Sequence, residues 1–234
     1  MKKLEADSRL KELIRCATEV FCTYGYKQTQ MTDIAKAMGV AAGTLYLYVE
    51  SKEALFDFAV RYGIENNVEQ IPTTFPITTP KAGSTIAYLK KILSEQAQWP
   101  KLAEALTKTQ VENPRKELLD IIQELYSLML GKRWGLFLIA RSAVDFPELS
   151  EVFISKLRKN LLKDLTKYIK SRVEIGQFFA VINPNISAIF VSETIVWAVI
   201  HRMCDPEFRT ISEEQINTTV VTALVNSFVS PLST

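Results

Sequence analysis

Apolar residues recur at three- and four-residue intervals along nearly the whole chain, and that period predicts helices. Leu10, Leu13, Ile14, Ala17, Val20, Phe21 and Tyr24 draw one stripe on a first helix, and Gly25 follows where a left-handed residue suits a helix end. Ile34, Ala35 and Met38 share one side of a short segment from Met31 to Met38, closed by Gly39. Ala41, Leu45 and Val49 then repeat at intervals of four and predict a second short helix over 41–49. Ser51 suits the N-cap of a fourth helix and Glu53 places negative charge in its first turn. That helix turns Leu55, Phe58, Ala59 and Tyr62 inward and is expected to reach Val68.

Residues 71–83 hold three prolines and a glycine without a helical period, and read as a loop. Helical patterns resume near 84–98, 101–111, 115–130, 134–145, 148–175, 184–204 and 212–229. Pro147 and Pro184 stand where first helical turns begin, and Asn183 and Ser212 suit the caps. No run alternates as a strand does and no fixed repeat is visible, so the expected architecture is all-α. The expected division is a head of short helices over 1–50 and a larger helical body over 51–234.

Helices of about 15, 8 and 8 residues, with a glycine turn between the last two, have the dimensions of a helix-turn-helix unit. Gly39 lets the chain reverse, Ala35 is small where two helices cross, and Ile34, Val40, Leu45 and Val49 form a miniature core. That leaves Ala42, Gly43, Thr44, Tyr46 and Leu47 facing outward, small or hydrogen-bonding side chains suited to a major groove about 12 Å wide.

The run TDIAKAMGVAAGTLYLYVESKEALF, residues 32–56, resembles the head of the TetR family of bacterial transcriptional regulators, and the likeness covers about residues 8–60. The resemblance implies a role for each matching position. Thr44 and Tyr46 would meet phosphates or base edges, Tyr48 the backbone, and Ala42 and Gly43 the bases. Leu47 shares that outward face, Thr32 would approach from the preceding helix, and Lys52 would set its ammonium on a phosphate. Family members often carry Thr where this chain has Gln30, which leaves the cap of the first short helix open, and Ala42 offers no hydrogen bond to a base.

The resemblance also implies a homodimer on a double-stranded operator, paired through C-terminal helices near 184–204 and 212–229. Ile189, Val196 and Ile200, with Ile216, Val220, Leu224 and Phe228, give apolar faces broad enough for core and interface, though the chain's own core could absorb them. Between head and dimer helices the family generally holds a small-molecule cavity. Trp99, Tyr126, Trp134, Phe137, Arg141, Glu193 and Trp197 are its candidate lining, with ordinary core or pairing (Arg141 with Asp145) as the alternative. The expected activity is repression, released when an effector swings the fourth helix and changes the separation of the two heads. The alternative is control by a protein partner.

Composition narrows the rest. A hydrophobic share of 47% supplies a sizeable core, and a net charge of +2 excludes a polybasic tail. Residues 1–60 carry eight Lys/Arg and eight Asp/Glu, so attraction to DNA must come from local placement of Lys2, Lys3, Lys27, Lys36 and Lys52. Cys16, Cys22 and Cys204 fit neither a disulfide framework nor a metal site, and His201 has no metal-spaced neighbours. No phosphate loop or nucleophile elbow is present, which argues against an enzyme, and no cofactor is expected. The charged N-terminus is unlike a signal peptide, and Arg141 and Glu193 interrupt the most apolar stretches, so a cytoplasmic protein without a membrane span is expected.

Overall fold

The computed structural model describes residues 2–65, 74–96, 99–144, 146–152, 158–204 and 207–230. The helices are α1 (Lys2–Tyr24), α2 (Met31–Met38), α3 (Ala42–Leu45), α4 (Lys52–Glu65), α5 (Ser84–Gln96) and α6 (Pro100–Ala105). They continue with α7 (Pro114–Gly131), α8 (Arg133–Ser142), α9 (Pro147–Val152), α10 (Lys159–Glu174), α11 (Pro184–Val199) and α12 (Glu213–Asn226). Short 3-10 turns at His201–Cys204 and Phe208–Thr210 join the last two. The expected all-helical architecture holds among the described residues, with one isolated parallel bridge between Val49 and Ile77.

Several boundaries differ from expectation for identifiable reasons. The helix expected over 41–49 is helical only through Leu45; residues 46–48 form a turn, and beyond it the Tyr48 carbonyl and the Glu50 amide bond Ile77. The helix expected over 101–111 stops at Ala105, where the buried Arg172 guanidinium takes the Ala105 and Lys108 carbonyls. Of the single helix expected over 148–175, α9 and α10 are described, and residues 153–157 between them lie outside the described residues, as does Val68. The predicted caps are present: Ser51 Oγ accepts from the Ala54 amide at 3.1 Å, Asn183 Oδ1 from Asn185 at 3.0 Å and Ser212 Oγ from Gln215 at 3.2 Å.

The chain packs as two compact units, Met1–Lys91 with Lys132–Phe153, and Ile92–Gly131 with Ile154–Thr234. In the first, α1 packs on α2, α4 and α8, and α4 lies along α8. Leu10, Leu13, Ala17, Phe21, Ile34, Leu45, Val49 and Leu55 close its core, while Tyr24 at the end of the predicted stripe is exposed. The α4–α8 crossing brings backbone onto backbone: a Cβ on Gly63 would lie 2.7 Å from the Gly135 nitrogen. Arg141 on α8 donates from Nε to the Cys22 carbonyl at 3.0 Å and from Nη2 to the Thr23 carbonyl at 2.9 Å. Those carbonyls end α1 and have no partner within it.

In the second unit, α11 packs on α10, α7 and α12. Buried charge is part of this core. Arg172 is wholly buried and pairs with Glu117, which also accepts a hydrogen bond from Tyr168. Arg202 pairs with Glu213, which accepts from Tyr126. One stretch, Pro184–Met203, is long and apolar enough to cross a membrane by length and composition alone. Ala188, Val191, Ser192, Ile195, Ala198 and Val199 of that stretch are buried within the unit.

Candidate nucleic-acid interface

The head is built to hold a very short helix outward. α2 ends at Gly39, whose φ of 71° is the left-handed conformation that closes a helix, and the Val40 amide then bonds the Ala35 carbonyl at 3.0 Å. The chain reverses and α3 begins at once. Leu45 and Val49 are fully buried against the head, which fixes the opposite side toward solvent. Gln30 caps α2 without its side chain being decisive, since Asp33 Oδ2 accepts the Gln30 amide at 2.8 Å.

The predicted contact residues fall into three groups. Thr32, Gly43, Tyr46 and Leu47 are exposed, the last two by 49% and 68%, side chains large enough that solvent alone gives no reason for their position. Ala42, Thr44 and Tyr48 are half-buried on the same short segment. Gly43 has an ordinary backbone, and a Cβ added there would meet nothing within 4 Å. The fold therefore does not require glycine at this place.

Lys52 is placed differently from its expected use. Its ammonium donates to the Tyr26 carbonyl at 3.0 Å and the Thr29 carbonyl at 2.9 Å, and lies 4.4 Å from the Tyr26 ring centroid. It fastens the turn between α1 and α2 to the start of α4. Tyr26 in turn donates to Glu53 at 2.7 Å. That hydrogen bond holds the Glu53 carboxyl below its ordinary range, and burial first, then Glu53, pushes the Tyr26 hydroxyl up.

A feature with no sequence signal adjoins the segment. Residues 74–79 return to the head, where the Ile77 amide bonds the Tyr48 carbonyl at 2.8 Å and the Glu50 amide bonds the Ile77 carbonyl at 2.9 Å. The Phe75 ring meets the Tyr48 ring edge-on at 5.8 Å.

The seven candidate pocket residues divide between the two compact units. Trp134, Phe137 and Arg141 belong to the first compact unit, and Trp99, Tyr126, Glu193 and Trp197 to the second. Phe137 and Tyr126 are core, Arg141 ends α1 as described, and Glu193 pairs with Arg158 at 2.9 Å. Trp197 is 40% exposed against Phe208, Trp134 is half-buried beside Arg133, and Trp99 buries its Nε1. Asp145 lies outside the described residues. Two clefts are lined by other residues. One in the first unit, of about 180 Å³, is bounded by Tyr26, Glu53, Phe56, Ile86 and Phe146; one in the second, of about 260 Å³, by Lys101, Glu104, Lys108, Lys116 and Asp120.

Comparison with known proteins places the head. Residues 13–58 match the family described as bacterial regulatory proteins, tetR family. The HTH-type transcriptional regulator YhgD of Bacillus subtilis is 43% identical over 49 residues, 21% of this chain and 26% of that protein. The fatty acid metabolism regulator protein of the same organism is 50% identical over 42 residues, 18% of this chain and 22% of that protein. The chain thus matches about a quarter of the length of these curated relatives. The ketosteroid transcriptional regulator KstR2 of Mycobacterium tuberculosis shares the fold, with a TM-score of 0.51 at 15% identity over 94% of each chain.

Proposed function

We propose, from the match of residues 13–58 to the tetR family of bacterial regulatory proteins, that this chain is a member of that family which binds an operator as a homodimer and represses transcription until a small-molecule effector releases it. The observation that carries the DNA reading is α3 with the turn that follows it, where Tyr46 and Leu47 stand exposed close to a glycine the fold does not need. Thr44, Tyr46 and Tyr48 are the proposed hydrogen-bonding contacts, with Thr32, Ala42, Gly43 and Leu47 along the same approach. Lys52 acts in this reading chiefly by holding the head together, its ammonium engaged by two carbonyls.

The proposed dimer surface is on α11 and α12, but not on the faces the sequence singled out. Ile200, Ile216, Val220, Leu224 and Phe228 are buried within the chain, and Ile189 and Val196 are half-buried. Ile186, Phe190 and Trp197 remain exposed on one stripe of α11 instead. The effector is of unassigned chemistry, since the likeness to the fatty acid metabolism regulator is confined to the head. The packed Tyr126 and Phe137 favour a second reading, control by a protein partner.

Selection of bound fragments from random duplex DNA tests the reading. A two-fold-related pair of half-sites is expected, and Tyr46→Ala should weaken binding roughly tenfold, the loss of one good hydrogen bond with its packing. Undiminished affinity in that variant would remove α3 from the interface.

A further inference from the structure

We infer that residues 74–79 form a strap that extends the DNA-docking surface, seated on the sugar-phosphate backbone beside Tyr48. The inference rests on the DNA reading of the head and adds to it a segment remote in sequence from the helix-turn-helix.

Three observations carry it. The strap is fixed to the head by backbone hydrogen bonds, Ile77 to Tyr48 at 2.8 Å and Glu50 to Ile77 at 2.9 Å, and by the edge of Phe75 against Tyr48. A duplex that reaches Tyr48 therefore meets Phe75 as well. The outer residues Thr74, Phe75, Pro76, Thr78 and Thr79 are all exposed, and residues 74–83 contain Lys81 and no carboxylate. Threonine hydroxyls on an uncharged backbone suit phosphate oxygens, which accept hydrogen bonds and repel acids.

The third observation concerns Glu50. This acid sits two residues beyond Tyr48 and would oppose an approaching phosphate. The Thr79 amide donates to Glu50 Oε2 at 2.7 Å, and Thr79 Oγ1 lies 2.9 Å from Ser51 Oγ. The strap thus anchors the one carboxylate between Tyr48 and Ser51 to its own backbone.

The test places a charge on exposed Thr74. The slope of log affinity against log salt is measured on selected duplex DNA for the unaltered chain, Thr74→Lys and Thr74→Glu. One added phosphate contact should steepen the slope by about 0.9 in Thr74→Lys. Thr74→Glu should bind roughly fivefold more weakly at low salt, as for one unit charge about 4 Å from a phosphate in water. Unchanged slope and affinity in both variants, with melting temperatures intact, would overturn the strap while leaving the DNA reading in place. An unaltered chain that selects no duplex would overturn the DNA reading itself.

Discussion

Gly43 occupies a helical position with a permitted backbone and open space where a side chain would be. Glycine there loses conformational entropy on folding and packs nothing, a cost of up to about 1 kcal/mol relative to alanine. Gly43→Ala is therefore expected to raise the melting temperature of the chain slightly while lowering its affinity for operator DNA. Greater stability with unchanged affinity would mean that nothing approaches α3 closely at this point. The residue types of the head were legible from the run 32–56, because short side chains between apolar anchors suit a surface that another molecule approaches closely. What each side chain does was less legible. Lys52 reads as a free cation in one dimension, yet its partners are carbonyls 23 and 26 residues earlier. Arg141 likewise reads as a charge inside an apolar run, and its partners close the end of α1 more than a hundred residues away. Side chain–backbone hydrogen bonds of that range leave no periodic trace in a sequence.

Helix positions followed from hydrophobic period with few exceptions, since each stripe reports burial directly. Two of the exceptions coincide with a contact distant in sequence. Ile77 takes the backbone of Tyr48 and Glu50, and Arg172 takes the carbonyls that would have extended α6. Arg172 itself falls at a core position of α10, where an arginine is unexpected until Glu117 and the Ala105 and Lys108 carbonyls are seen to satisfy it. The α4–α8 crossing was equally hidden, because a glycine in a helix gives no indication of its neighbour. A Cβ on Gly63 would sit 2.7 Å from Gly135 N, and one on Gly135 would sit 2.6 Å from the Gly63 carbonyl carbon, with backbone that cannot rotate away. Gly63→Ala should thus destabilise the first unit by about 1–3 kcal/mol, the usual cost of overpacking. The double variant with Gly135→Ala should cost less than the sum, since one separation of the helices relieves both contacts. Additive losses in denaturant titrations would show that the two glycines do not face each other.

At the scale of the molecule, the apolar surface left uncovered by the second unit has a definite shape. Ile186, Phe190 and Trp197 are exposed by 59%, 51% and 40%, and their spacing of four and seven residues keeps them on one side of α11, with the exposed Glu193, paired to Arg158, between the last two. Small residues follow on the exposed side of α12, namely Thr218, Thr219, Thr222 and Ala223. A large apolar stripe beside a small-residue face matches what two antiparallel helix pairs need to interlock across a two-fold axis. Phe190→Glu puts a charge at the centre of that stripe without touching the buried row of Ala188, Val191 and Ile195. Sedimentation should then show monomers at concentrations where the unaltered chain is dimeric, with helical content preserved. Operator binding should fall with it, by roughly a hundredfold on a fragment carrying two half-sites, because two linked heads engage the second site at high effective concentration. On a fragment with a single half-site the variant and the unaltered chain should bind alike. A variant that remains dimeric would place the interface on another face of the chain, and a dimeric variant that nonetheless lost only two-site binding would separate the geometry of pairing from its stability.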